Sequence, residues 1–186
     1  MRVAMPLEVP EHEGWVEADL DRLPDDGIRY ELIDGSLHVT PPPGYEHNSI
    51  GLELCVVLRA AAPADWRVAY ESGVRLPAGN VIPDVVVLRP GFDRKVTWRK
   101  PADVALAVEI ESRGSRRDDR RIKPEVYAEA GIPSYWRVER HPEGLHLHAY
   151  ELVDGVYAHV AWVRPGVAWQ ATAPYPVVLE PGAWVI

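Results

Sequence analysis

The chain has 186 residues, 47% of them apolar and 26% charged, and a formal net charge of −8. This is ordinary globular composition: it excludes a disordered chain and favours one domain hiding roughly 70% of the surface its unfolded form would expose. The single cysteine, Cys55, excludes an intrachain disulfide and a multi-cysteine zinc site, and no apolar run approaches the ~18 residues of a membrane span.

Residues 1–14 lack periodicity and read as a loose arm ahead of a single domain over 15–186. Pro6 and Glu8 interrupt the apolar stretch behind Arg2, so no signal peptide is expected and a cytoplasmic location is. Val16, Leu20 and Leu23 recur at helical spacing before Pro24. Ile28–Ile33 and Ser36–Thr40 flank Asp34-Gly35, a strong hairpin signal. Tyr45 to about Ala62 carries a helical stripe of His47, Ile50, Gly51, Leu54 and Leu58, ending before Pro63. Trp66–Glu71 and Val74–Leu76 are strand-like, and Pro77–Asn80 reads as a turn. Val85–Leu88 and Val104–Ile110 are continuous apolar runs of the kind found in central strands. Ser115–Ala130 reads as a helix closed by Gly131, Ser134–Val138 as a strand, and Leu145–Ile186 as short strands between turns. That order predicts an α/β or α+β arrangement around one mixed sheet, without the strict alternation or glycine-rich loops of a nucleotide-binding fold.

Two acids stand out against this background. Asp84 precedes the Val85–Leu88 run, and Glu109 is embedded in the Val104–Ile110 run, where a carboxylate is costly unless compensated. On neighbouring strands the pair could converge on Mg²⁺, which is held by one or two carboxylates plus water and phosphate. The same residues would equally serve as a turn cap and an ion-pair partner. Lys123, in the following helix, could neutralise charge at such a site or be a solvated helix lysine. Arg113, Arg116, Arg117, Arg120, Arg121 and Lys123 make one basic segment in an acidic chain. A polyanion feels local sign within about 8 Å, so the net charge does not exclude nucleic acid. Cys55, His141, His146 and His148 show no activating partner or zinc spacing.

Tyr30-Glu31-Leu32-Ile33-Asp34-Gly35, His47, Pro83-Asp84-Val85-Val86-Val87 and Val108-Glu109-Ile110-Glu111-Ser112 follow one another in order. After them come Arg117–Lys123, Tyr127 and Gly131–Val138. Together they resemble the Uma-two family, domain of unknown function 820, whose members are restriction-endonuclease-like. The resemblance runs from about residue 15 to 180 and is most specific from Glu109 to Val138.

That family is placed in the PD-(D/E)XK nuclease superfamily, with a core of helix, three strands, helix and strand. The resemblance implies a Mg²⁺- or Mn²⁺-dependent endonuclease hydrolysing DNA phosphodiester bonds. Asp84 and Glu109 would be the metal carboxylates, Lys123 a lysine migrated from strand to helix, and Glu31 an additional acid. On the residues alone, His47 could contact nucleic acid or the metal shell or serve the start of its helix, and the arginines at 113, 116, 117, 120 and 121 could contact the nucleic acid or form a solvated helix face. Glu111 occupies the position where the commonest superfamily pattern has its lysine, and it is expected to be an exposed acid at the strand end, the alternative being an extra metal ligand. This departure keeps open a non-catalytic nucleic-acid or protein interaction module on the same scaffold. A homodimer is compatible with cutting both strands, the β-rich tail offering a pairing surface.

Overall fold

Asp34 and Gly35 both take positive φ, 47° and 72°. This geometry lets β1 (Arg29–Ile33) and β2 (Ser36–Thr40) pair antiparallel across a two-residue turn. A computed structural model of the chain describes residues 10–112 and 114–184. Most of the expected N-terminal arm, and Arg113, lie outside the described residues. The first helix, α1 (Glu17–Leu20), is a single turn and shorter than its periodicity suggests. Asp19 turns its side chain back to accept from the Val16 N–H at 2.9 Å, and Asp21 closes the turn.

The central element is a six-stranded sheet in the order β10-β9-β8-β7-β6-β3. Its strands are β3 (Arg67–Tyr70), β6 (Val85–Leu88), β7 (Val104–Ile110), β8 (Ser134–His141), β9 (Gly144–Val153) and β10 (Val156–Val163). β6 and β7 are buried along their whole length, as their unbroken apolar runs require. The helix α2 (Tyr45–Ala61) lays Ile50, Leu54 and Leu58 on one face of this sheet against Val85, Val87, Leu106 and Val108. The other face packs Val86 and Ala107 against Val126, Tyr127 and Ile132 around α3 (Lys123–Glu129).

The expected single mixed sheet is in fact three. β1 and β2 join β4 (Val74–Leu76) and β5 (Gly79–Val81) in a second sheet, and β11 (Trp169–Ala171) pairs β12 (Val177–Leu179) in a third. Gly79 and Asn80, read as part of a turn, therefore belong to a strand. Gly79 makes this pairing possible: its φ is +141°, and a Cβ there would lie 2.1 Å from the Leu32 carbonyl oxygen.

The segment Ser115–Ala130 is not one regular helix. Pro124 supplies no N–H to the Arg120 carbonyl, and its ring crowds that carbonyl. The backbone widens into a π turn over Asp118–Ile122, in which the Lys123 N–H bonds the Asp118 carbonyl, and α3 then runs on regularly. The crossover through this segment makes β7 and β8 parallel.

Candidate active site

Val85 faces Val108 in the antiparallel β6–β7 ladder. One step further along the same register puts Asp84 opposite Glu109, on the face that α3 covers. Lys123, the first residue of α3, reaches Glu109 Oε2 at 3.0 Å and Glu31 Oε1 on β1 at 3.2 Å. Tyr127, one turn on, donates to Glu109 Oε1 at 2.6 Å. Arg29 Nη1 lies 2.9 Å from Asp84 Oδ1, and His47 Nε2, in the first turn of α2, lies 3.2 Å from Asp84 Oδ2. The Ile110 N–H also donates to Oδ2, at 2.7 Å. Asp84, Glu109, Lys123, Glu31 and His47 are thus brought together around a cavity of about 360 Å³, although they come from four elements and the turn before β6. Arg29, Tyr127, Asp118 and Asp119 belong to the same constellation; the last three stand within the motifs quoted above, but none of the four is assigned to the site from the sequence.

Five carboxylates line the cavity (Glu31, Asp84, Glu109, Asp118 and Asp119) against three permanent cations, Arg29, Lys123 and Arg140. Burial works to raise the Asp84 pKa, but the hydrogen bond and charge of His47, with Arg29 and Lys123, outweigh it and hold the group at about 2. Glu109 moves the other way. Its complete burial, opposed by Lys123 and reinforced by the neighbouring acids, pushes it well above the ordinary carboxyl range. Burial likewise lifts Asp119 to about 7 against the pull of Lys123 and Ser115. Burial alone would depress Lys123, yet the four acids around it raise its pKa, so the ammonium stays charged. The acids outnumber the cations, and Glu109 and Asp119 are the groups whose affinity for a proton rises in response. A divalent cation would relieve the same excess of negative charge.

A family model described as a putative restriction endonuclease, Uma2, matches residues 17–180. The chain belongs to the Uma2 family. The fold agrees: a crystal structure of a putative nuclease of the DUF820 family from Anabaena variabilis superposes with a TM-score of 0.69. That superposition covers 91% of this chain and 98% of the other at 14% identity. Among curated proteins none matches.

In this Uma2 chain the expected exposure of Glu111 is overturned. Its side chain is 5% exposed and ion-paired to Arg116 at 2.7 Å and Arg120 at 2.5 Å, while Arg120 also reaches Glu139 at 2.8 Å. An acid flanked by two guanidiniums is stable where a lysine would be repelled. Arg116 and Arg120 are consequently committed to Glu111. Arg117 and Arg121 are exposed and have no hydrogen bond or ion pair among the described residues.

Away from the cavity, this Uma2 structure gathers His141, Glu143 and His146 with candidate ligand atoms within 4.8 Å of one another. Trp162 donates to His146 Nδ1 at 3.0 Å, which places the imidazole proton on Nε2. Nε2 lies 3.2 Å from Glu143 without forming a hydrogen bond to it, and a protonated Nε2 has no lone pair to offer a metal, so the trio is a polar cluster and not a ligand set. Among the described residues no helix is long and apolar enough to cross a membrane.

Proposed function

We propose that this member of a nuclease family is a divalent-cation-dependent endonuclease acting on DNA, with Asp84 and Glu109 holding Mg²⁺ or Mn²⁺. The observation that carries the reading is that these two buried acids, one at the entrance to β6 and one on the adjacent β7, line one cavity with the buried Lys123 ammonium. The donor set suits a hard cation: its oxygens are carboxylates, its acids exceed its cations, and one buried oxygen, Asp119 Oδ1, has no partner. A bound divalent ion would supply polarisation of the phosphodiester and a more acidic water.

The chain's own residues do the rest. His47 and Arg29 keep Asp84 ionised across the working pH range. The buried Lys123 presents a fixed positive charge where a phosphate in the cavity accumulates negative charge. Tyr127 and Lys123 each occupy one oxygen of Glu109 and so fix its orientation. Arg117 and Arg121 are the exposed cations available to a DNA backbone.

Cleavage of plasmid and single-stranded DNA with Mg²⁺ or Mn²⁺ tests the reading, comparing wild type with Asp84→Asn and Lys123→Met. Loss of cleavage in both variants supports it; equal residual activity in all three removes it. The direct pairing of Lys123 with Glu109 and Glu31 favours a second reading, a non-catalytic module in which this cluster is structural. A wild-type chain that binds DNA but takes up no Mn²⁺ would select that alternative.

A further inference from the structure

Asp119 is the deeply buried acid of the cavity that no cation grips. Its side chain is 1% exposed, and it forms no ion pair among the described residues. Ser115 Oγ donates to Oδ2 at 2.5 Å, while Oδ1 has no hydrogen-bond partner. The residue is nevertheless firmly placed. It stands on the π turn forced by Pro124, and the Tyr135 hydroxyl donates to its main-chain carbonyl at 2.5 Å. A carboxylate oxygen removed from water without a donor costs stability. The Ser115 hydroxyl and the charge of Lys123 act against that cost, but neither supplies a donor to Oδ1, so the arrangement points to a ligand.

The chemistry of that ligand follows from the surroundings. The same cavity holds Asp84, Glu109 and Glu31, and a phosphate-like anion would meet four carboxylates. A cation is favoured instead. Among the described residues no three acids of the cavity bring oxygens within 4.8 Å of one another, so the cavity offers no ready-made inner shell of three carboxylates. Mg²⁺ typically keeps several of its waters and contacts few carboxylates directly. We propose that Asp119 is a positioning acid of this site, its Oδ1 accepting from the water shell of the divalent cation held by Asp84 and Glu109. The inference rests on the metal reading of the preceding subsection and extends it to a residue of the π turn.

Calorimetric titration of the full chain with Mn²⁺ tests it, alongside thermal melts with and without the ion, for wild type, Asp119→Asn, Ser115→Ala and Asp84→Asn. Asp119→Asn is expected to weaken Mn²⁺ binding by roughly 10–100-fold, the range seen when an outer partner is lost. Its metal-free melting temperature at pH 8 should be unchanged or higher, because an unpartnered buried charge has gone. Ser115→Ala, which frees the Asp119 carboxylate, should weaken binding in the same direction, and it decides the matter if Asp119→Asn does not fold. Wild-type affinity in Asp119→Asn, with binding lost in Asp84→Asn, would overturn this inference and leave the metal reading standing. Absence of Mn²⁺ binding by wild type would overturn both.

Discussion

Arg29 and Asp84, 55 residues apart in the chain, meet at 2.9 Å between the β1–β2 hairpin and the entrance to β6. Both are largely buried, and Arg29 also reaches Glu71 at 2.5 Å. Removing one member of a buried pair leaves the other uncompensated. Arg29→Met is expected to cost about 3 kcal/mol in urea unfolding, the low end of the range for broken buried pairs, because His47 still faces Asp84. The Asp84 carboxyl should then titrate above about 2, measurable by NMR.

Lys123→Met leaves Glu109 and Glu31 without their shared ammonium. Glu109, already pushed upward by burial, would bind its proton still more tightly, so the loss of stability should be larger at pH 8 than at pH 5. About 3–5 kcal/mol is expected at the higher pH from chemical denaturation. DNA cleavage should fall at least about 100-fold, as for loss of one preorganised charge-stabilising group.

The pH dependence of stability has a definite sign. Asp119 titrates at about 7 in the folded chain and at about 3.9 when unfolded. The folded state therefore holds this proton more tightly. Its contribution is fully present below about pH 4 and fades as pH rises through about 7, by roughly 4 kcal/mol at most. Glu109, also raised, acts in the same direction. Without divalent cations the urea midpoint should fall between pH 5 and pH 8. Asp119→Asn should flatten the slope, and Mn²⁺ should restore stability at pH 8. Asp84 behaves oppositely, its contribution disappearing only as pH drops from about 4 toward 2.

Glu111→Lys would install the residue type that the commonest pattern of related nucleases carries at this position. Here it would put a third cation beside Arg116 and Arg120. The expected outcome is a loss of about 2 kcal/mol by thermal or urea unfolding and no gain in cleavage, since the cavity already has its ammonium from Lys123.

The parts of this fold set by local rules were readable from the sequence. Asp34-Gly35 announces its hairpin because only positive φ closes that turn, and the Val85–Leu88 and Val104–Ile110 runs announce strands buried on both faces. The meeting of Asp84 and Glu109 was readable on one condition, that their strands be neighbours, which the β6–β7 ladder satisfies. The remainder depends on tertiary placement. Arg29 alternates with Glu31 on an ordinary hairpin strand, and only the packing of the two sheets aims it at Asp84. Strand β5 is too short to show a period, and its Gly79 mimics a turn signal. Glu111 looked like a strand-end acid because its partners, Arg116 and Arg120, sit on the next turn of chain and are recruited by the fold. Pro124 was the visible clue to the break in the helix; a stripe of Ile122, Val126 and Ala130 masked it.

The π turn has a consequence for how this segment tolerates change. A π turn takes up about one residue more than an α turn, so deleting Arg120 with return to α spacing would leave the flanks in phase. Regularising the segment to α spacing with all its residues kept would instead turn everything before it by about 100° relative to everything after it. Ser115 and Asp119 would then swing off the cavity that Lys123 faces, so the phase of the helix is as much a part of the site as the residues on it.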